Sequence, residues 1–253
     1  SIIEDSEGDL WYGTNNGISL QDSKTGKWRS FLSTFENVQN SKNHIFTTLC
    51  EVSPGIIWAG GYFSGLYQID KRTSKTTYFT PASYAHESIR PDKYIRDIRK
   101  DSRGYVWSGG YYNLKRINVQ TKDIRLYHGL HSVTAIIEKD DKSMWIGTAT
   151  GLFLLDIESG KYERIQLPVE STYVYSLYQT QKGALYIGTS GSGVLIYDPQ
   201  TKLFTHYYTG NCAMISNNIY TILSDEDNEI LLSTENGLTS FYPKQKTFYN
   251  WTK

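Results

Sequence analysis

The chain has 253 residues, enough for one large all-β domain or two smaller ones, and for a sizeable core in either case. Its 26 Lys and Arg balance 26 Asp and Glu, so no global field favours nucleic acid or an anionic membrane surface, and no apolar run approaches membrane-spanning length. The 21 Tyr, 6 Trp and 9 Phe suit strands and sugar-stacking surfaces better than a helical bundle, while the only cysteines, Cys50 and Cys212, lack the spacing of a metal knuckle or redox pair.

The phrase EDSEGDLWYGTNNG at 4–17 returns, loosened, as KDSRGYVWSGGYYN at 100–113 and again as EKDDKSMWIGTATG at 138–151. Anchored on Trp11, Trp58, Trp107, Trp145, Tyr186 and Leu231, six units follow one another 38 to 49 residues apart. Two residues beyond each anchor stand Gly13, Gly60, Gly109, Gly147, Gly188 and Ser233, followed by Thr or Gly. Each unit resumes with an apolar residue (Ile18, Leu66, Leu114, Leu152, Val194, Leu238), then reaches a polar turn opened by Asp22, Asp70, Asn118, Asp156, Asp198 or Tyr242. Self-similarity of this period defines a repeat architecture.

Each unit reads as four short strands. The first alternates, as in VTAII (133–137); the second carries the LWYG or MWIG phrase; the third is typified by GLFLLD (151–156) and the fourth by YERI (162–165). Helical periodicity is absent. Between the first two strands lie tight turns whose Gly8, Gly55, Gly104 and Gly183 are expected at positive φ. Asn113 replaces the glycine that follows the second strand elsewhere, and is expected in a left-handed conformation. Four antiparallel strands every forty-odd residues are the pattern of a β-propeller blade.

The expected fold is therefore all-β, a single propeller over residues 1–253 with about six blades, at approximately 1–31, 44–79, 94–127, 132–165, 173–208 and 218–251. Because the first unit opens only at Ser1 to Ile3, the chain is expected to be a fragment of a larger six- or seven-bladed, or tandem, propeller. Strand reversal puts the short turns on one face and the variable loops on the other. GGYFSG (60–65), GGYYN (109–113) and the connections 31–44, 80–94, 129–132, 167–173 and 208–218 thus share the face where function is expected.

The motif DSEGDLWYGTNNGI (5–18), with DSRGYVWSGGYYNL (101–114) and DNEILLSTENGL (227–238) as weaker copies, resembles the two-component regulator propeller repeat. That resemblance implies the periplasmic sensor region of a hybrid histidine kinase of Bacteroidetes type, in which further propeller, immunoglobulin-like and kinase domains accompany the repeats. It also implies recognition of oligosaccharides released from polysaccharides, with no cofactor, no metal and no catalysis by this chain.

On the loop face the expected ligand residues are Tyr62, Phe63, Tyr84, His86, Arg90, Tyr94, Arg96, Tyr111, Tyr112, His131 and Tyr173. Aromatic faces accept the apolar side of a sugar ring, while Arg and His donate to its hydroxyls. The turn residues Asp5, Asp101 and Asp227, like the anchoring tryptophans, read as structural.

Two rival classes stand beside the sensor. A sialidase would need three arginines from different blades, yet Arg90 and Arg96 belong to one repeat; among Glu36, Glu87, Asp92, Asp97 and Glu170, no pair stands out as a hydrolase site. A lyase of the streptogramin-inactivating type, which uses a propeller with a histidine base and a metal, would have to draw on His44, His86 or His131. The other rival is a non-catalytic scaffold that binds a protein or forms a homodimer through Tyr-rich loops.

Overall fold

The computed structural model describes residues 1–32, 45–79, 94–225 and 229–251. Within them, strands consecutive in sequence pair into six four-stranded antiparallel sheets. The first sheet comprises Ile2–Glu4, Leu10–Thr14, Gly17–Gln21 and Trp28–Phe31; the second Ile45–Ser53, Ile56–Tyr62, Gly65–Asp70 and Lys75–Tyr78; the third Ile95–Lys100, Val106–Gly110, Leu114–Ile117 and Ile124–Tyr127. The fourth comprises Val133–Asp140, Ser143–Thr148, Gly151–Asp156 and Tyr162–Ile165; the fifth Val174–Gln179, Leu185–Thr189, Val194–Asp198 and Leu203–Tyr207; the sixth Ile219–Ser224, Ile230–Thr234, Gly237–Tyr242 and Thr247–Trp251. These are six blades of a β-propeller, as the repeat pattern requires, and there is no helix among the described residues. The chain divides into two compact units, Ser1–Val133 with the first three blades and Thr134–Lys253 with the rest of the fourth blade and the last two.

Within each unit successive blades pack face to face. Trp11, Ile18 and Leu20 of the first blade share a core with Phe46, Leu49 and Ile57 of the second. Trp58 and Leu66 of the second meet Ile95, Ile98 and Val106 of the third. In the second unit Trp145 and Leu152 meet Val174 and Leu177, and Tyr186 and Val194 meet Ile219 and Ile222. First strands touch one another between blades, so they form the inner layer of each unit.

The recurring glycine of the second strand is the device that lets blades approach this closely. A Cβ on Gly13 would sit 2.8 Å from the Phe46 carbonyl oxygen; one on Gly60, 2.6 Å from Ile95 Cγ2; one on Gly147, 2.7 Å from Val174 Cγ1. At Gly188 it would lie 2.8 Å from the Ile219 carbonyl oxygen and 2.4 Å from Ser176 Oγ. In all four cases a residue at the start of the next blade's first strand lies in that space, joined at Gly188 by Ser176 of the same blade. The threonine that follows acts within its own blade. The hydroxyls of Thr14, Thr148, Thr189 and Thr234 donate to the carbonyls of Gly17, Gly151, Gly193 and Gly237, closing the next turn.

The turn aspartates are structural, and they do more than close a turn. Asp5 Oδ1 accepts the Glu7 and Asp9 N–H groups, and its Oδ2 accepts the Trp11 indole N–H at 2.8 Å. Asp101 repeats this with Arg103, Tyr105 and Trp107, the last at 2.9 Å. Where the aspartate is missing the indole must look elsewhere. Trp145 donates to Gln179 of the following blade at 2.9 Å, while Val52 replaces the aspartate below Trp58, whose buried N–H finds no acceptor among the described residues. Asp227 lies outside the described residues. Asn113 departs from expectation, because it does not take positive φ. The equivalent glycines Gly17, Gly65, Gly151, Gly193 and Gly237 all do, and in the second blade Phe63 also adopts positive φ, at 59°.

At the short-turn end of the first unit Lys71, only 5% exposed, reaches from the second blade into the first blade's opening turn. Its Nζ lies 2.6 Å from Asp5, 2.7 Å from Glu7 and 2.7 Å from Asp9. Burial opposes ionisation of Asp9, yet hydrogen bonds from Lys71 and Ser23 outweigh it and hold this carboxyl down at about 2. Asp5 is lowered likewise: burial again opposes, and Lys71 and Trp11 prevail. The Lys71 ammonium is raised, its three carboxylate partners overcoming the cost of burial.

Two expectations follow. Gly188→Val forces side chain into the Ile219 backbone and should lower the unfolding free energy by about 1–3 kcal/mol in urea titration; an unchanged midpoint refutes the close-approach role. Lys71→Met strands two buried carboxylates and should cost about 3 kcal/mol. The depressed folded pKa values mean that the lock contributes fully above about pH 4 and is lost as pH falls toward 2. The variant should therefore lose less stability than the parent between pH 4 and pH 2, and parallel pH profiles would contradict the assignment.

Candidate functional site

The inner strand breaks register at one repeated place. Pairing skips between Phe46 and Thr48, between the partners of Gly109 and Gly110, between Val174 and Ser176, and between Ile219 and Thr221. The residues left over are Thr47, Arg96, Tyr175 and Tyr220, each directly after a buried apolar residue at the start of its strand (Phe46, Ile95, Val174, Ile219). Such bulges re-aim a side chain. Here they occur in four first strands, at the end nearest the variable loops.

In the first unit this end carries an aromatic platform. Tyr94, just before the third blade's first strand, bridges to Tyr62, and its carbonyl accepts the Tyr111 N–H at 3.2 Å. Its ring lies 4.8 Å from Phe63, 6.3 Å from Tyr62 and 6.2 Å from Tyr111, and Tyr111 is 5.0 Å from Tyr112. One tyrosine thus joins the GGYFSG and GGYYN loops. Phe63, Tyr111 and Tyr112 remain 51%, 55% and 43% exposed.

Polar groups rim the platform. The Arg96 guanidinium stands 5.9 Å from the centre of the Tyr62 ring. His131 Nδ1 is bonded to the Tyr112 carbonyl, and the Ser132 N–H donates to the Tyr111 carbonyl at 3.0 Å, so the connection after the third blade is tied to the same loop. Asp97, next to Arg96 in sequence, is buried and held by Arg99 Nε at 3.2 Å. The arrangement offers ring faces, a guanidinium and an imidazole.

Seven of the eleven expected site residues come together here: Tyr62, Phe63, Tyr94, Arg96, Tyr111, Tyr112 and His131. Tyr84, His86 and Arg90, with His44, lie outside the described residues. Tyr173 belongs to the second unit, where it forms another aromatic group with Tyr175 at 4.8 Å, itself 5.2 Å from Tyr220. Sequence reasoning missed Tyr175 and Tyr220. Their signal was an aromatic residue directly after the strand-opening apolar one, which simple alternation assigns to the blade wall.

Clefts of about 250 and 470 Å³ occur at the other, short-turn end of the first unit. The smaller is lined by Glu7, Asp9 and Lys71 with neighbouring turn residues, and among the described acids Asp5, Glu7 and Asp9 lie close enough together to share a cation. The Lys71 ammonium already fills that place.

Residues 168–191, from the loop before the fifth blade through its second strand, match the family described as two component regulator propeller. The match falls on the copy in which Tyr186 replaces tryptophan; burial there, with Tyr207 and Tyr178 close by, pushes the Tyr186 hydroxyl up to about 12. The chain is 24% identical along its whole length to histidine kinase P4 of Formosa agariphila, of which it spans 20%. All of it superposes on the extracellular domain of a hybrid two component system from B. thetaiotaomicron, with a TM-score of 0.82 and 18% identity, covering 34% of that chain. It also superposes on virginiamycin B lyase from Staphylococcus aureus, with a TM-score of 0.78 and 15% identity, covering 83% of that chain. At such identities the solved structures show the propeller fold alone.

Proposed function

We propose that this chain is the ligand-sensing, extracytoplasmic part of a hybrid two-component regulator, situated in the periplasm. It recognises an oligosaccharide from polysaccharide breakdown and passes the signal to a kinase outside residues 1–253. The observation that carries this reading is the platform of Tyr62, Phe63, Tyr94, Tyr111 and Tyr112, with Arg96 and His131 at its rim. Exposed ring faces stack on the C–H side of a sugar, and the guanidinium and imidazole supply the directional bonds that select among hydroxyl patterns. Its likeness to a histidine kinase and to the extracellular domain of a two component system supports the sensory role.

A propeller lyase is the second reading, favoured by the superposition on virginiamycin B lyase. It requires an imidazole base, and the one at the platform, His131, is engaged through Nδ1 with the Tyr112 carbonyl.

Calorimetry against a panel of plant and host oligosaccharides separates the readings. The sensor binds a sugar and returns it unchanged; loss of substrate supports an enzyme, and silence to every glycan together with self-association supports a scaffold. Phe63→Ala and Tyr111→Ala should each weaken sugar binding by about 0.5–1.5 kcal/mol, roughly two- to tenfold, with an unaltered urea midpoint. Unchanged affinity in both variants removes the platform as the site.

A further inference from the structure

At its short-turn end the seam between the first and second blades is closed by carboxylates. Beside the Lys71 lock, Glu51 of the second blade reaches back to the first blade's turn, where it accepts the Ser6 N–H at 2.7 Å and the Ser6 hydroxyl at 3.0 Å. Asp5 accepts both the Trp11 indole N–H and the Lys71 ammonium. Every donor in this seam is met by an acid that the two blades themselves supply.

The seam between the second and third blades keeps the donors and loses the acids. Counted from the anchoring tryptophans, Val52 replaces Asp5, Pro54 replaces Glu7, Ile56 replaces Asp9 and Lys100 replaces Glu51; counted from the start of the polar turn, Val119 replaces Lys71. Ser53 remains as the counterpart of Ser6. Trp58 remains too, 1% exposed, with its indole N–H unpartnered among the described residues. In Trp11 and Trp107 this N–H points at the residue six positions earlier. For Trp58 that residue is Val52, which packs with it and with Val119 in one apolar cluster. Val52 and Val119 are also walls of the cleft of about 470 Å³, whose other lining includes Ser53, Lys100, Arg103 and Tyr105 and, among the described residues, no acid. The flanking acids are engaged elsewhere, Glu51 with Ser6 and the Gly55 N–H, Asp101 with its own turn and Trp107.

We propose that this cleft binds a small organic acid, whose carboxylate takes the place between the blades that Glu51 and Asp5 fill in the preceding seam. Lys100 and Arg103 supply the charge, Ser53 and the Trp58 N–H supply hydrogen bonds, and Val52 and Val119 seat the apolar body of the ligand. Hydrogen bonds to a carboxylate that are backed by cations are the strong ones, and the cleft has the volume of a small-molecule site. A buried donor left without an acceptor is costly, so the site gains from any oxygen that reaches it. It lies at the short-turn end of the seam whose loop end carries the aromatic platform, so its occupant is a second ligand rather than part of the first.

The test follows the indole N–H resonances of the protein by NMR during titration with benzoate and with glucuronate, with benzamide and glucose as uncharged counterparts; Trp58→Phe identifies the Trp58 resonance. At least one of the acids should move that resonance downfield and saturate, toward the positions of Trp11 and Trp107, while the uncharged counterparts leave it in place. Val52→Asp, which supplies an internal acceptor, should move it downfield without ligand. Val52→Asp and the exposed Lys100→Glu should each weaken acid binding about tenfold or more, whereas Phe63→Ala on the platform leaves it unchanged. Absence of a saturable shift with either acid overturns the proposal, as does an equal response to benzamide or glucose. Undiminished binding in Lys100→Glu also overturns it, and this exposed substitution serves where Val52→Asp fails to fold. Loss of the Trp58 response in Phe63→Ala overturns it as well, and assigns the shift to the platform.

Discussion

Close approach between one blade's second strand and the next blade's first strand is the constraint on which this structure rests. The chain meets it with a residue that has no side chain to obstruct the neighbour, at Gly13, Gly60, Gly147 and Gly188. Once that approach is made, the large residue two positions earlier is forced into the seam between blades, and Trp11, Trp58 and Trp145 are buried there. The W-x-G phrase is therefore one packing device. Its tryptophan fills the volume that its glycine allows the next blade to close, which is why the two recur together while the residue between them varies among Tyr, Ala, Ser and Ile.

Burying an indole brings a polar N–H with it, and the turns answer that need unevenly. Asp5 and Asp101 each combine a closed turn with an indole acceptor, so a single carboxylate links backbone geometry to the interblade seam. In the first unit Lys71 extends this link across the seam and binds one blade's opening turn to the end of the next blade's third strand. The short-turn end is thereby held by charge and the blade walls by apolar contact. The loop end is where the proposed ligand site lies.

The periodicity of the anchors made the six four-stranded blades legible, because each blade must satisfy the same packing and turn requirements from its own forty-odd residues. The pairing of GGYFSG with GGYYN on one rim was legible for the same reason, and Tyr94 joins them as the strand directions require. Features that depend on interruptions of that regularity were not legible. Asn113 was read by analogy with the glycines of the other blades, but its backbone does not take their left-handed conformation. Tyr175 and Tyr220 went unnoticed because strict alternation cannot register an extra residue in one strand. Lys71 gave no signal at all: its importance arises from the neighbouring blade's acids, more than sixty residues away in sequence.

The bulge also bears on how a rigid fold can serve recognition. A propeller inner strand in perfect register would alternate strictly between the two blade walls, leaving few side chains free to face a ligand. By inserting one residue at its loop-proximal end, the strand keeps its wall-packing residues (Ile95 and Ile98 in the third blade) buried while Arg96 is set apart, beside the Tyr62 ring. The position is held from both sides, by the buried strand beneath it and by Tyr94, which ties together the two aromatic loops above. On the proposed sensing role, little side-chain freedom would remain to be lost there on ligand binding, and discrimination would come from fit between fixed rings and a fixed guanidinium. Variation in the residues at the bulge and in the two loops can then retune specificity without disturbing the glycine-mediated seams that hold the blades together.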